Sequence, residues 1–182
     1  NRRFFTMLGT LVRGRVCIAA GAGIAARRGL SIATRYALTR RQFPAPGHPD
    51  GVVLLDYLTH QRRLLPAIAR AYALGFAQNE LTTALAHVQG GGEHTEREQR
   101  QLETRAAGLK ALATRFANDT IQECREACGG AGYMAENRLV GLRADADVFA
   151  TFEGDNTVLL QLVAKALLTD YRQVWGDLDR VG

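Results

Sequence analysis

Lysine is nearly absent from this basic chain: Lys110 and Lys165 stand alone among 23 basic residues, and the others are arginine. Arginine in place of lysine favours forked contacts to phosphates and carboxylates. Cys17, Cys124 and Cys128 are too few, and odd in number, for a disulfide framework, which points to a reducing compartment. His48, His60, His87 and His94 are dispersed without ligand spacing, so no metal site is expected. No apolar run approaches the roughly 20 residues that a membrane span needs. The longest small-apolar stretch, Val16 to Ala26, is broken by Gly21 and Gly23, and no membrane span is expected. Strand-forming alternation is lacking as well.

The chain of 182 residues carries 47% hydrophobic content, enough for one helical domain with a real core, and a formal charge of +5. Its start at Asn1, without a signal-like segment, reads as an excised part of a longer protein, and residues 1–182 read as one domain. A basic balance suits nucleic acid or a phosphate-rich small ligand such as a dinucleotide or a coenzyme A thioester. The aromatics sit at apolar-face spacings instead of alternating with arginine, so nucleic acid is not the expected partner.

Four long helices are expected. The first, Phe4 to about Leu38, is rich in small residues, among them Gly9, Gly14, Gly21, Gly23 and Gly29, which suggests that another helix or subunit approaches closely there. Pro44, Pro46 and Pro49 end it. The second runs from about Val53 to Val88, with Leu54, Leu58, Leu65, Ile68, Ala69, Tyr72 and Phe76 near helical spacing. After a loop at 89–95, the third runs from about Glu96 to Cys128 on a stripe of Leu102, Ala106, Leu109, Leu112, Ala113, Phe116, Ile121 and Cys124. A short segment from Arg138 to Phe149 precedes the last helix, about Asp155 to Trp175. The fold class is all-α, an antiparallel four-helix bundle.

Three local features place glycine or arginine beside a helix end. Arg40-Arg-Gln-Phe43 could hold a phosphate and pack on a flat ring, although arginines at a helix C-terminus also complement its dipole. Gly129-Gly-Ala-Gly-Tyr133 could admit a ligand close to the backbone, or it is a plain helix stop. In Thr151-Phe-Glu-Gly-Asp-Asn-Thr-Val158 a lone carboxylate, Glu153, stands on a glycine turn ahead of an apolar helix, as a working base or as an ordinary first-turn acid.

Taken together and in this order, the three features resemble the C-terminal helical domain of the acyl-CoA oxidase and acyl-CoA dehydrogenase superfamily. The Glu-Gly-Asp-Asn-Thr-Val form at 153–158 is similar to the oxidase branch. The resemblance implies that Glu153 is the catalytic base removing the α-proton of a fatty acyl-CoA. It further implies that Arg40, Gln42 and Phe43 reach the FAD of a neighbouring subunit and that Gly129 and Gly130 lie along the same cofactor. Asp155 and Asn156 fall where the family has flavin-side or turn-stabilising contacts. Two positions depart from the pattern, Glu126 where glutamine is common in dehydrogenases and Ala131 where oxidases often have histidine.

The expected function is therefore part of an FAD-dependent acyl-CoA oxidase acting as a homo-oligomer on acyl-CoA, inactive as the isolated chain. The alternatives are a dehydrogenase with a protein electron acceptor and a non-catalytic helical interaction module.

Overall fold

Helix α3 (Glu96–Ala127) runs through the centre of the molecule, and the other helices pack around it. In the computed structural model, residues 2–90 and 93–175 are described; Gly91 and Gly92 of the expected loop lie outside them. Helix α1 (Arg2–Thr39) makes the most extensive contact with α3, and α2 (Leu58–Gln89) packs on both. Helices α4 (Leu139–Asp147) and α5 (Asn156–Trp175) lie against α3. The all-helical bundle agrees with the expectation, with the 138–149 segment also helical.

Small side chains explain how α1 and α3 come so close. Ala19, Ala22 and Ala26 of α1 meet Ala113, Ala117 and Ile121 of α3 in one buried cluster. At Gly29 an added methyl would lie in ordinary van der Waals contact with Ile121 Cγ1, at 3.4 Å, so the α1–α3 approach there does not require glycine. By length and composition, the Leu11–Thr39 part of α1 could cross a membrane, a reach the short apolar runs concealed. Its alanine and valine face is buried on α3, α2 and α4, the use a core helix makes of the same composition.

The start of α3 is set by local chemistry. Thr95 Oγ1 accepts from the Glu98 backbone N–H at 3.2 Å, and the Glu98 carboxylate accepts from the Thr95 N–H at 2.7 Å, a reciprocal cap. The expected start of α2 at Val53 is corrected to Leu58. Val52 and Val53 form a two-residue antiparallel ribbon with Arg41 and Gln42, which are thereby β1 (Arg41–Gln42) and β2 (Val52–Val53). Gly51, at φ 94°, brings the chain so near that a methyl there would lie 3.0 Å from the Gln42 nitrogen.

Helix α2 corrects a second expectation. Its core face is Leu64, Ala71, Leu81 and Val88, whereas Leu58, Leu65, Tyr72 and Phe76 of the expected stripe are exposed. Both faces carry apolar residues at helical spacing, so periodicity identifies the helix but not the side that α1 and α3 cover. In α3 the expected stripe is buried at Leu102, Ala106, Ala113, Ile121 and Cys124, and Leu112 points out.

Cys124 and Cys128 are buried and Cys17 is exposed. Burial pushes the Cys124 thiol up to about 12, with Cys128 and Glu123 adding to the rise. A thiol that keeps its proton only in the folded state contributes stability that is complete below pH 9.0 and is lost as the pH climbs toward about 12. Between pH 8 and pH 11 the thermal midpoint of the parent is expected to fall by roughly 5–10 °C more than that of Cys124→Ala. Equal slopes in the two proteins would remove Cys124 from the alkaline transition.

Candidate functional site

Glu153 sits on a turn whose backbone is left-handed at two successive residues, with φ 58° at Glu153 and 112° at Gly154. A non-glycine residue in that region is uncommon and costs about 1–3 kcal/mol, so the surroundings must hold it there. Three groups do so. Lys110 of α3 donates to the carbonyls of Ala150 and Gly154 at 3.1 and 2.6 Å, and Arg15 of α1 donates from Nε to the Glu153 carbonyl at 3.3 Å. The third is the helix that follows. Asp155 precedes α5 as its cap, its Oδ1 accepting from the Thr157 N–H at 2.8 Å, and that bond holds the exposed Asp155 carboxyl below its usual range.

The Glu153 side chain lies across α1 at Gly14. A methyl built on Gly14 would fall 2.5 Å from Oε2 and 2.7 Å from Oε1, so only glycine leaves this slot open. Oε2 is buried and, among the described residues, accepts no hydrogen bond. A buried carboxylate oxygen without a donor is costly to leave unpaired. The ring of Phe149 would lie 3.9 Å from a methyl built on Gly21, further along α1 than Gly14.

Asn156 is turned inward. Its Oδ1 accepts from Lys110 at 2.9 Å, and its Nδ2 donates to Thr114 Oγ1 at 2.9 Å. Of the two roles expected for Asp155 and Asn156, the structure displays turn stabilisation. Lys110, to which spacing and motif assigned no role, is wholly buried. The signal was present in sequence, since Lys110 interrupts an otherwise apolar run from Ala106 to Ala113.

The other expected residues gather at the far end of α1. At a rise of 1.5 Å per residue the helix carries Arg40 about 39 Å from Gly14. There Arg40, Arg41, Gln42 and Phe43 are exposed, and Phe43 adopts φ 57°. Gly129 and Gly130 adjoin this end, where Arg35, Tyr36 and Thr39 of α1 line a cleft of about 380 Å³ with Cys128, Ala131 and Asn137. Gly129 needs its glycine for a φ of 57°, whereas Gly130 has neither a positive φ nor any neighbour within 4 Å of an added methyl. Gly132 is different, because a methyl there would strike the Arg125 carbonyl. Glu126 is held within the chain: Arg63 reaches its Oε2 at 3.1 Å and Arg125 its Oε1 at 3.3 Å, while Arg125 also lies 4.2 Å over the Tyr133 ring. Among the described residues no group of histidine, cysteine and carboxylate could hold a metal.

The arrangement of helices is one found in acyl-CoA oxidases. An acyl-CoA oxidase from Lycopersicon esculentum (tomato) superposes on 90% of the chain, and on 25% of its own length, with a TM-score of 0.84 and 37% identity. The chain belongs to the acyl-CoA oxidase C-alpha1 domain family, whose model matches residues 8–168. The putative peroxisomal acyl-coenzyme A oxidase 3.2 of Arabidopsis thaliana is 44% identical over 94% of this chain and 24% of its own. Acyl-CoA oxidase-1 of Caenorhabditis elegans, solved with FAD and ATP, is 33% identical with a TM-score of 0.80 and covers 87% of this chain and 25% of its own. The chain thus spans about a quarter of the length of the curated relatives it matches.

Proposed function

We propose that this chain is the flavin-facing helical domain of a longer FAD-dependent acyl-CoA oxidase and that Glu153 is its base. The observation that carries the reading is the Glu153 carboxylate lying in a slot that only Gly14 leaves open, with one oxygen buried and unpaired. An α-proton beside a thioester is weakly acidic, so a base must be held within reach of it and the enolate-like charge must be stabilised. Glu153 takes the α-proton of a fatty acyl-CoA, and its backbone N–H donates to the thioester carbonyl. Bound FAD supplies acceptance of the hydride from the β-carbon and delivery of the electron pair to O2, giving hydrogen peroxide and the trans-2-enoyl-CoA.

Arg40, Gln42, Phe43, Gly129 and Gly130 fit a cofactor that comes from outside this chain. The arginine and phenylalanine are exposed past the end of α1, and among the described residues nothing occupies the side-chain space at Gly130. The separation of about 39 Å along α1 exceeds what one dinucleotide bridges, which supports two different flavins per chain. One is served by Glu153 and the other, on a neighbouring subunit, by Arg40 to Phe43, so the protein acts as a homo-oligomer. Asp155 and Asn156 serve the turn. The compartment is peroxisomal in a eukaryote, as several relatives are named, and cytoplasmic in a bacterium.

Oxygen uptake and peroxide release by the full-length protein test the reading. With a saturated acyl-CoA, one peroxide is expected for each enoyl-CoA formed. Reduction of an electron-acceptor dye without peroxide would make the protein a dehydrogenase instead, and neither product would leave an interaction module.

A further inference from the structure

Lys110 lies midway along α3 and exposes none of its surface. An ammonium has three protons to donate. All three find acceptors, the Ala150 carbonyl at 3.1 Å, the Gly154 carbonyl at 2.6 Å and Asn156 Oδ1 at 2.9 Å. These acceptors bracket Glu153 in the chain, and Asn156 is in turn anchored to α3 through Thr114. From α1, Arg15 holds the carbonyl between them.

A buried cation is a poor way to fill space. Burial pushes the Lys110 ammonium down from its ordinary value, Asp155 and Glu153 oppose that shift by their charge, and Arg15 adds to it. A methionine would occupy the same volume without the desolvation cost, so packing alone does not account for a lysine. What it does account for is the turn: two carbonyls pinned on either side of a residue with φ 58° leave that residue one place to aim its side chain. That place is the slot over Gly14.

We propose that Lys110 is a positioning residue for the reaction: by pinning the carbonyls of 150 and 154 and the Asn156 amide from α3, it keeps the Glu153 carboxylate aimed across Gly14 at the substrate α-carbon. The inference rests on the reading of Glu153 as the base. Lys110 touches neither substrate nor cofactor; it acts through the turn, and its loss misplaces the base without removing it.

The test uses the full-length, FAD-loaded protein and measures flavin reduction by acyl-CoA, the KM, and the rate with α-deuterated acyl-CoA. In Lys110→Met the flavin is expected to be reduced roughly 10- to 100-fold more slowly, with KM changed by less than about threefold and the α-deuterium isotope effect enlarged, because a displaced base slows proton removal and not binding. A lysine that merely stabilised the fold would lower FAD content or melting temperature and leave the isotope effect at the parental value. Should Lys110→Met not fold, Asn156→Leu removes one acceptor and keeps the cation, while Asn156→Asp keeps an acceptor for it. Slowing in Asn156→Leu with recovery in Asn156→Asp supports the inference, and equal rates in both overturn it. A Glu153→Gln control separates the two claims. If that variant is inactive while Lys110→Met reduces flavin at the parental rate with a parental isotope effect, the positioning role fails alone; if Glu153→Gln stays active, the base and its positioning fail together.

Discussion

Glu153→Gln in the full-length protein is expected to slow flavin reduction by acyl-CoA by about 10²- to 10⁴-fold, the range that a positioned general base contributes. Glutamine has the length and width of glutamate, so it fills the same slot across Gly14 and keeps the same backbone groups on the turn. It retains an acceptor oxygen but cannot take up a proton. The flavin spectrum and the melting temperature are therefore expected to stay at parental values, because Lys110, Arg15 and Asn156 grip the turn through groups the substitution does not touch. Stopped-flow reduction under anaerobic conditions is the measurement. A rate within threefold of the parent would show that Glu153 is a turn residue and no more.

Gly14→Ala is the second large effect, and it comes from a residue with no chemistry of its own. The added methyl would stand 2.5 and 2.7 Å from the two carboxylate oxygens of Glu153, closer than such contacts allow. The turn is pinned from α3 and α1, so the backbone does not follow and the carboxylate swings aside. A displacement of about 1 Å at a reacting group is enough for a loss on the order of 10²-fold. The cost to the fold is small, because what moves is the free end of a long side chain. Alanine in mid-helix also gains about 0.5–1 kcal/mol over glycine, so the melting temperature is expected to hold or rise slightly. A slower, equally stable enzyme is thus the expected result. The double variant Gly14→Ala, Glu153→Gln should be no slower than Glu153→Gln alone, since both changes act on the same carboxylate. Independent, multiplying losses would mean that Gly14 serves something else.

Much of the fold was legible in the residues. The four long helices follow from spacing, and their ends follow from Pro44 to Pro49 and from the glycines after Cys128. The boundary of α2 was not, because Val52 and Val53 satisfy helical spacing and become a ribbon only through pairing with Arg41 and Gln42. The covered face of α2 was hidden for a related reason: Leu65 and Phe76 are as apolar as Leu64 and Leu81, and a neighbour chooses between them. The Glu153 turn was recognisable by its order relative to Arg40 and Gly129, but its seat on Gly14 joins residues nearly the whole chain apart.

What this sequence determined by itself is local: the four long helices, most of their ends, and that one carboxylate stands on a glycine turn before the last helix. These depend on backbone propensity, capping and spacing, which act within a few residues. Only the tertiary structure decided that Lys110 is a buried clamp and not a solvated charge, and that Gly14 is the floor under Glu153. It also decided that Arg40 to Phe43 lie at the opposite end of α1 from the turn. Burial, hydrogen-bond partners and separation are properties of packed helices, and no stretch of sequence carries them until α1 and α3 come together.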